Sequence, residues 1–394
     1  MRRASSTWAS SLLVLVLVAS GVAGAAPRLC LPPAYDGGRR LHLAPSPDAY
    51  WLGTALRQHE LCWRRGPADE QRVLLLGNSA VFGHDLPADQ TVAELMSREL
   101  ARRGVNAHVF NAAWVTSYQL KDALILNEAL RYEPDAIVWT VSPMDLTHRA
   151  PVLQEAMNAF FQANADELRR FIDERPAGLE EPLERYRPVA AVEPLVRPWR
   201  RLRQLGRFTQ SAVRQYGATL TAALAPTARA APRPPAKGKR LGPSYYDCAA
   251  VTRRWKAHFT GWQEWNALAW LEALQNERGI PVLVVAWPVA PVLRWGCYNQ
   301  FYPMEFPSAV TTWLAEETSR RGLAYLDLQR IVPVSEFADW THLGADAHAR
   351  LAARLVPAVA RLLGRGGPPS GSAPGGHEHL QHVPEHQGDR RKQL

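Results

Sequence analysis

One serine, one aspartate and one histidine in this chain stand where they could carry out acyl transfer. Ser79 follows the apolar run Val73 to Leu76 and the pair Gly77-Asn78. Four consecutive apolar residues read as a strand buried on both faces, as in a parallel sheet. Gly77 allows a tight turn, so Ser79 emerges at the carboxyl end of that strand, the edge where open α/β sheets place their ligand sites. Near the other end lies Asp339-Trp340-Thr341-His342, followed by a helical stretch. An aspartate and a histidine three apart on a loop can pair so that the imidazole reaches a serine. A serine hydroxyl is a weak nucleophile until such a base takes its proton. A lone Gly-x-Ser means little, since most serines in such loops form turns or cap helices. The strand before it, the chain order and the Asp-x-x-His block give this one weight.

These blocks resemble the SGNH, or GDSL-type, hydrolase superfamily. Its first block is a strand followed by Gly-Asp-Ser and a later glycine, here Gly77-Asn78-Ser79 and Gly83; its last is Asp-x-x-His, here Asp339 to His342. The resemblance covers about residues 70–148 and 280–363. It implies Ser79 as nucleophile, His342 as general base and Asp339 as the group that orients the imidazole. It also implies oxyanion donors in the backbone N–H groups of Ser79 and of Thr116, which falls where the family has a glycine. The sequence departs from the family after the third strand, where Ser142-Pro143-Met144-Asp145 stands in place of Gly-x-Asn-Asp. Met144 cannot donate the hydrogen bond that the asparagine gives. Losing one such donor costs about 3 kcal/mol in a comparable site. The resemblance is closer to the divergent exported members linked to cell-surface polysaccharide O-acylation than to ordinary esterases.

The elements that must hold these residues alternate. Strands are expected over Arg72–Leu76, Ala107–Phe110, Ala136–Val141, Pro281–Trp287 and Leu323–Leu328. Helices are expected around Thr91–Arg103, Tyr118–Tyr132, Arg254–Arg278, Ala309–Arg321 and Ala345–Leu363. This alternation predicts an α/β fold, a three-layer flavodoxin-like parallel sheet of about five strands with helices on both faces, plus a long insertion. A hydrophobic share of 47% over 394 residues suffices for its core.

Residues 1–25 combine Met1-Arg2-Arg3, an apolar Leu12–Ala19 and the small residues Ala23-Gly24-Ala25, which reads as a secretory signal peptide. An uncleaved N-terminal anchor is the rival reading. Residues 26–70, with prolines and Gly37-Gly38, read as an irregular segment leading into the α/β domain of residues 71–148 and 248–363. Export suits the cysteines. Cys30, Cys62, Cys248 and Cys297 lack the Cys-x-x-Cys spacing of zinc sites, and an oxidising compartment would pair them. Cys30–Cys62 and Cys248–Cys297 tie neighbouring segments. Buried free thiols are the alternative.

Residues 149–247 form an inserted helical and basic lid or linker. Its first part, Pro151–Ile172, has helical periodicity. From Glu184 to Arg240 it carries thirteen Lys or Arg against two Glu, within a chain of net charge +9. Such a stretch attracts lipid headgroups or acidic polysaccharide, or is a solvated linker. An export signal argues against nucleic acid. Trp114, Trp287 and Trp340 lie at or just past strand ends, where they could line a cleft and stack on sugars or else pack beneath the loops. Residues 364–394, rich in glycine, proline and histidine, read as a disordered tail without a metal site. His348 reads as a packing or surface residue. No cofactor is expected.

Three functional readings follow. The first is an exported serine enzyme that removes or transfers O-linked acyl groups on carbohydrate or a cell-surface polymer, beside a membrane-bound O-acyltransferase. The second is a simple secreted carboxylesterase or lipase. The third is a catalytically weak polymer-binding protein.

Overall fold

The computed structural model describes residues 30, 39–41, 52–64, 69–115, 119–142, 160, 164, 167, 170–171, 249–253, 267–291, 298–299 and 302–365. Five strands form one all-parallel sheet: β1 (Gln71–Leu76), β2 (Ala107–Asn111), β3 (Ala136–Val141), β4 (Val282–Ala286) and β5 (Ala324–Asp327). Their spatial order is β2-β1-β3-β4-β5, the doubly wound arrangement with its switch point beside β1.

Side chains alternate across the sheet and build two cores. Leu74, Leu76, Ile137, Trp139 and Val284 face one layer of helices, α5 (Gln119–Ala129), α6 (Ala267–Arg278) and α7 (Phe306–Arg320). Val73, Leu75, Val138, Leu283 and Val285 face the other, α4 (Val92–Arg102) and α8 (Ala345–Arg365). Apolar residues on both faces of each central strand are what a parallel sheet covered on both sides requires. The expected strands and helices therefore stand within a few residues of their predicted bounds. The exception is the helix expected over 254–278, of which α6 is the described part; residues 254–266 lie outside the described residues.

The segment leading into the sheet differs from its reading as irregular. It holds two short helices, α1 (Leu52–Gln58) and α2 (Glu60–Trp63). Seven and four residues are too few to show periodicity or to be stable alone. They are held by tertiary contacts instead. Leu52, Leu56 and Leu61 are buried in the first core. The Leu52 N–H donates to Asn164 Oδ1 at 2.7 Å. His59 caps α2 by accepting from the Leu61 N–H at 3.0 Å, while its other ring nitrogen donates to the Asn111 carbonyl, also at 3.0 Å. Leu41 adds a backbone N–H to that same carbonyl, and Arg40 forms a parallel bridge to Asn111. The last residue of the edge strand β2 is thus covered.

Cys30 and Cys62 form a disulfide across 32 residues of chain, the pairing expected for them; Cys248 and Cys297 lie outside the described residues. Closing a loop of this length stabilises by about 4 kcal/mol if the bond acts by restricting the unfolded chain. Replacing Cys30 and Cys62 together by serine is expected to lower the urea midpoint accordingly, and an unchanged midpoint would show that the bond contributes nothing.

Two residues of the insertion, Phe160 and Phe171, join the first core. Phe160 lies 4.6 Å between ring centroids from Trp114, and Phe171 meets Trp270 edge-on at 5.3 Å. The signal-like residues 1–25, the basic stretch 184–240 and the tail beyond 365 lie outside the described residues. Among the described residues no helix is long and apolar enough to cross a membrane.

Candidate active site

β1 ends at Leu76, and Gly77 follows because nothing larger fits. A Cβ there would lie 2.1 Å from Thr140 Oγ1 and 2.7 Å from a Val81 methyl. Asn78 then caps the single-turn helix α3 (Ser79–Phe82), its Oδ1 accepting from the Ala80 N–H at 2.9 Å. The Asn78 amide also donates to Ser142 Oγ at 2.9 Å, tying the nucleophile loop to the loop after β3. A carboxylate, the residue that the family resemblance expects here, could accept but not donate. Gly83 ends the turn with φ 77°, the left-handed conformation a glycine adopts freely.

The partner loop leaves β5 and tightens through backbone hydrogen bonds, with Ala338 N–H donating to the His342 carbonyl at 2.8 Å and a bridge between Phe337 and Leu343. Asp339 Oδ1 accepts from the N–H groups of Thr341 and His342 at 2.8 and 2.7 Å. This local turn is the physical reason for the three-residue spacing. It frees Asp339 Oδ2 to lie 2.6 Å from His342 Nδ1, and His342 Nε2 lies 2.9 Å from Ser79 Oγ. The consistent proton assignment puts N–H on Nδ1, donating to the carboxylate, and leaves Nε2 to accept from the serine hydroxyl. Burial opposes ionisation of Asp339, but the hydrogen bonds from His342 and Thr341 outweigh it and hold the carboxyl down to about 2. It is an anion at neutral pH.

The structure therefore brings together Ser79, His342 and Asp339 at hydrogen-bonding distances, from loops 263 residues apart in the chain. The fold is the one that the SGNH resemblance implies. Its doubly wound sheet puts the serine at the carboxyl end of β1 beside the switch point, and the carboxylate–imidazole pair reaches it from the loop before α8. The chain matches no protein-family model and no curated protein. Similar solved structures include a lipase/acylhydrolase from Enterococcus faecalis, 15% identical, covering 74% of this chain and 97% of that one, with a TM-score of 0.37. A carbohydrate acetylesterase family member from Sinorhizobium meliloti is 11% identical, covering 75% and 99%, with a TM-score of 0.34. Est24, a carbohydrate acetylesterase from the same organism, is 13% identical, covering 74% and 99%, with a TM-score of 0.35. Scores this low decide nothing about chemistry, which rests on the site's own geometry.

The tryptophans divide. Trp340 sits half-buried inside the Asp339–His342 loop, its carbonyl accepting from the Ala290 N–H at 3.0 Å. Trp114 and Trp287 are fully buried, one in each core, so of the two alternatives for them it is packing beneath the loops that holds. Strand-end positions are covered here by the insertion and by the loops themselves. Thr116 and Met144, at the positions where the resemblance expects further oxyanion donors, lie outside the described residues.

Three further contacts surround the site, of which those of His84 and Lys121 carried no sequence signal. His84 stands with its ring centroid 5.5 Å from that of His342. His348 is buried and accepts from the Val92 N–H at 3.0 Å, so it joins α8 to the start of α4. Lys121 lies fully buried beneath the nucleophile loop.

Proposed function

We propose that the protein is an exported serine-dependent acyl hydrolase or O-acyltransferase that acts on acyl esters of carbohydrate or cell-surface polymer. The observation that carries this reading is the hydrogen-bonded line from Ser79 Oγ through His342 to Asp339, 2.9 and 2.6 Å at its two links. As Ser79 Oγ adds to the ester carbonyl carbon, its proton passes to His342 Nε2. Asp339 stabilises the imidazolium formed. The tetrahedral oxyanion is received by the backbone N–H groups of Ser79 and Thr116. Collapse of this intermediate breaks the bond to the leaving alkoxide, which takes the proton from Nε2 and departs as the alcohol. Water or a sugar hydroxyl then gives its proton to His342 Nε2 as it adds to the acyl carbon, and collapse of this second intermediate breaks the bond to Ser79 Oγ, which takes the proton back from Nε2. Water completes hydrolysis, and a sugar hydroxyl completes transfer.

The disulfide between Cys30 and Cys62 supports export, since such bonds persist in oxidising compartments. Trp340, half-buried between Asp339 and His342 in the sequence, is the residue proposed to stack on a sugar. A membrane-bound O-acyltransferase that passes acyl groups outward is the proposed partner.

A fluorophosphonate probe should label the protein at Ser79, and Ser79→Ala should abolish labelling while circular dichroism stays unchanged. Labelling at another serine would reject the nucleophile. Incubation with an acetyl donor and candidate glycans, followed by mass spectrometry, separates transfer to sugar from release into water. Turnover of small activated acetyl esters without any dependence on carbohydrate would favour a simple carboxylesterase.

A further inference from the structure

We infer that Lys121 is a positioning residue for the reactive serine, its buried ammonium fastening the nucleophile loop to the loop that follows β2. The inference rests on the proposed acyl chemistry at Ser79. Lys121 belongs to α5, in which every residue but Asn127 is buried. The lysine side chain has no exposure to solvent. Its Nζ donates to the Gly77 carbonyl at 2.9 Å and to the Trp114 carbonyl at 3.1 Å, and it pairs with Asp122 Oδ1 at 2.8 Å. Two backbone carbonyls thus accept hydrogen bonds from the ammonium, and the neighbouring carboxylate balances its charge. The Gly77 carbonyl also accepts from the Trp114 N–H at 2.9 Å, so one oxygen joins both loops.

Each held carbonyl lies two residues before a proposed oxyanion donor, Gly77 before Ser79 and Trp114 before Thr116. Peptide groups are planar and trans, so pinning a carbonyl on the ammonium turns the N–H of the same peptide group away from it. The ammonium thereby fixes the planes of the Gly77–Asn78 and Trp114–Val115 peptides at the entry to both loops. Stability is a poor explanation for such a group. A buried ion pair replaced by apolar residues of similar volume is often as stable or more so. Position is what a cation on two carbonyls supplies. A displacement of about 1 Å at a reacting group can lower the rate about 100-fold.

The test is made on the full chain with Lys121→Met/Asp122→Asn, which removes both charges together, and with Lys121→Gln, which keeps a side-chain donor. The wild type is first labelled with fluorophosphonate; failure to label at Ser79 would overturn the proposed function itself. With that labelling in hand, the double variant should label Ser79 about 100-fold more slowly. On a small activated acetyl ester its kcat should fall with KM and the pH midpoint unchanged, and Lys121→Gln should recover part of the rate. Wild-type labelling rates in either folded variant would overturn the positioning role, as would a loss seen in KM alone. Should the double variant fail to fold, the rate and kcat of Lys121→Gln decide alone.

Discussion

Asp339→Asn should leave the protein folded and lower acyl turnover by about four orders of magnitude, the loss that the wrong imidazole tautomer produces in a comparable triad. The reason is the direction of one hydrogen bond. Asp339 Oδ2 accepts from His342 Nδ1 at 2.6 Å, which keeps Nε2 unprotonated and facing Ser79 Oγ. An asparagine amide at that position would donate to Nδ1 instead and move the ring proton to Nε2, where it blocks transfer from the serine. His342→Ala should cost about as much. Because the groups act as a unit, the double variant should be little worse than the poorer single one. Turnover of an activated acetyl ester measures all three. Losses that multiply independently would show that the residues do not act together.

Stability should fall steeply as the pH drops from about 6.5 towards 4, through three buried histidines rather than through the acidic residues. Burial pushes His59 and His348 down to about 4. Burial, with Arg64 close by, pushes His108 to about 3. In the unfolded chain each returns to about 6.5. Above that value all three are neutral in both states and their contribution is complete. Below it the unfolded chain binds protons that the folded chain refuses, so stability is lost as the pH falls, until each folded value is reached. Three such groups give a slope of about 4 kcal/mol per pH unit in that window. Asp339 acts in the same direction only at lower pH, from about 4 down to about 2. Urea midpoints at pH 7, 5.5 and 4.5 test this, and a flat profile across them would show that the histidines are accessible.

The sheet was legible because its central strands are covered on both faces. Runs such as Val73 to Leu76 and Val282 to Val285 then have to be apolar throughout. Ser79, Asp339 and His342 were legible because a local turn fixes the Asp-x-x-His spacing and a buried strand fixes the serine. The short helices α1 and α2 were not, since Leu52, Leu56 and Leu61 pack against elements distant in sequence. Trp114 and Trp287 show the limit of reading a cleft from strand ends. The strand fixes where such a residue lies along the sheet, while its exposure depends on what other segments cover, here Phe160 over Trp114. Lys121 and Asp122 were invisible for the same reason. A charged pair on a helix reads as a solvated face until the opposite face is found to be buried as well.

If the proposed acyl chemistry holds, the span of 263 residues between Ser79 and His342 makes its assembly a late event in folding. Contacts so far apart in sequence form only after the entropy of closing the intervening chain has been overcome. During vectorial synthesis the nucleophile emerges early, with no base to activate it. A chain interrupted after β5 would hold Ser79 on a sheet with all five described strands but lack His342. The base arrives with the loop that α8 anchors, where His348 takes the Val92 N–H. In a refolding time course, fluorophosphonate labelling should therefore lag behind the return of helical circular dichroism, and that interval times the docking of the last helix.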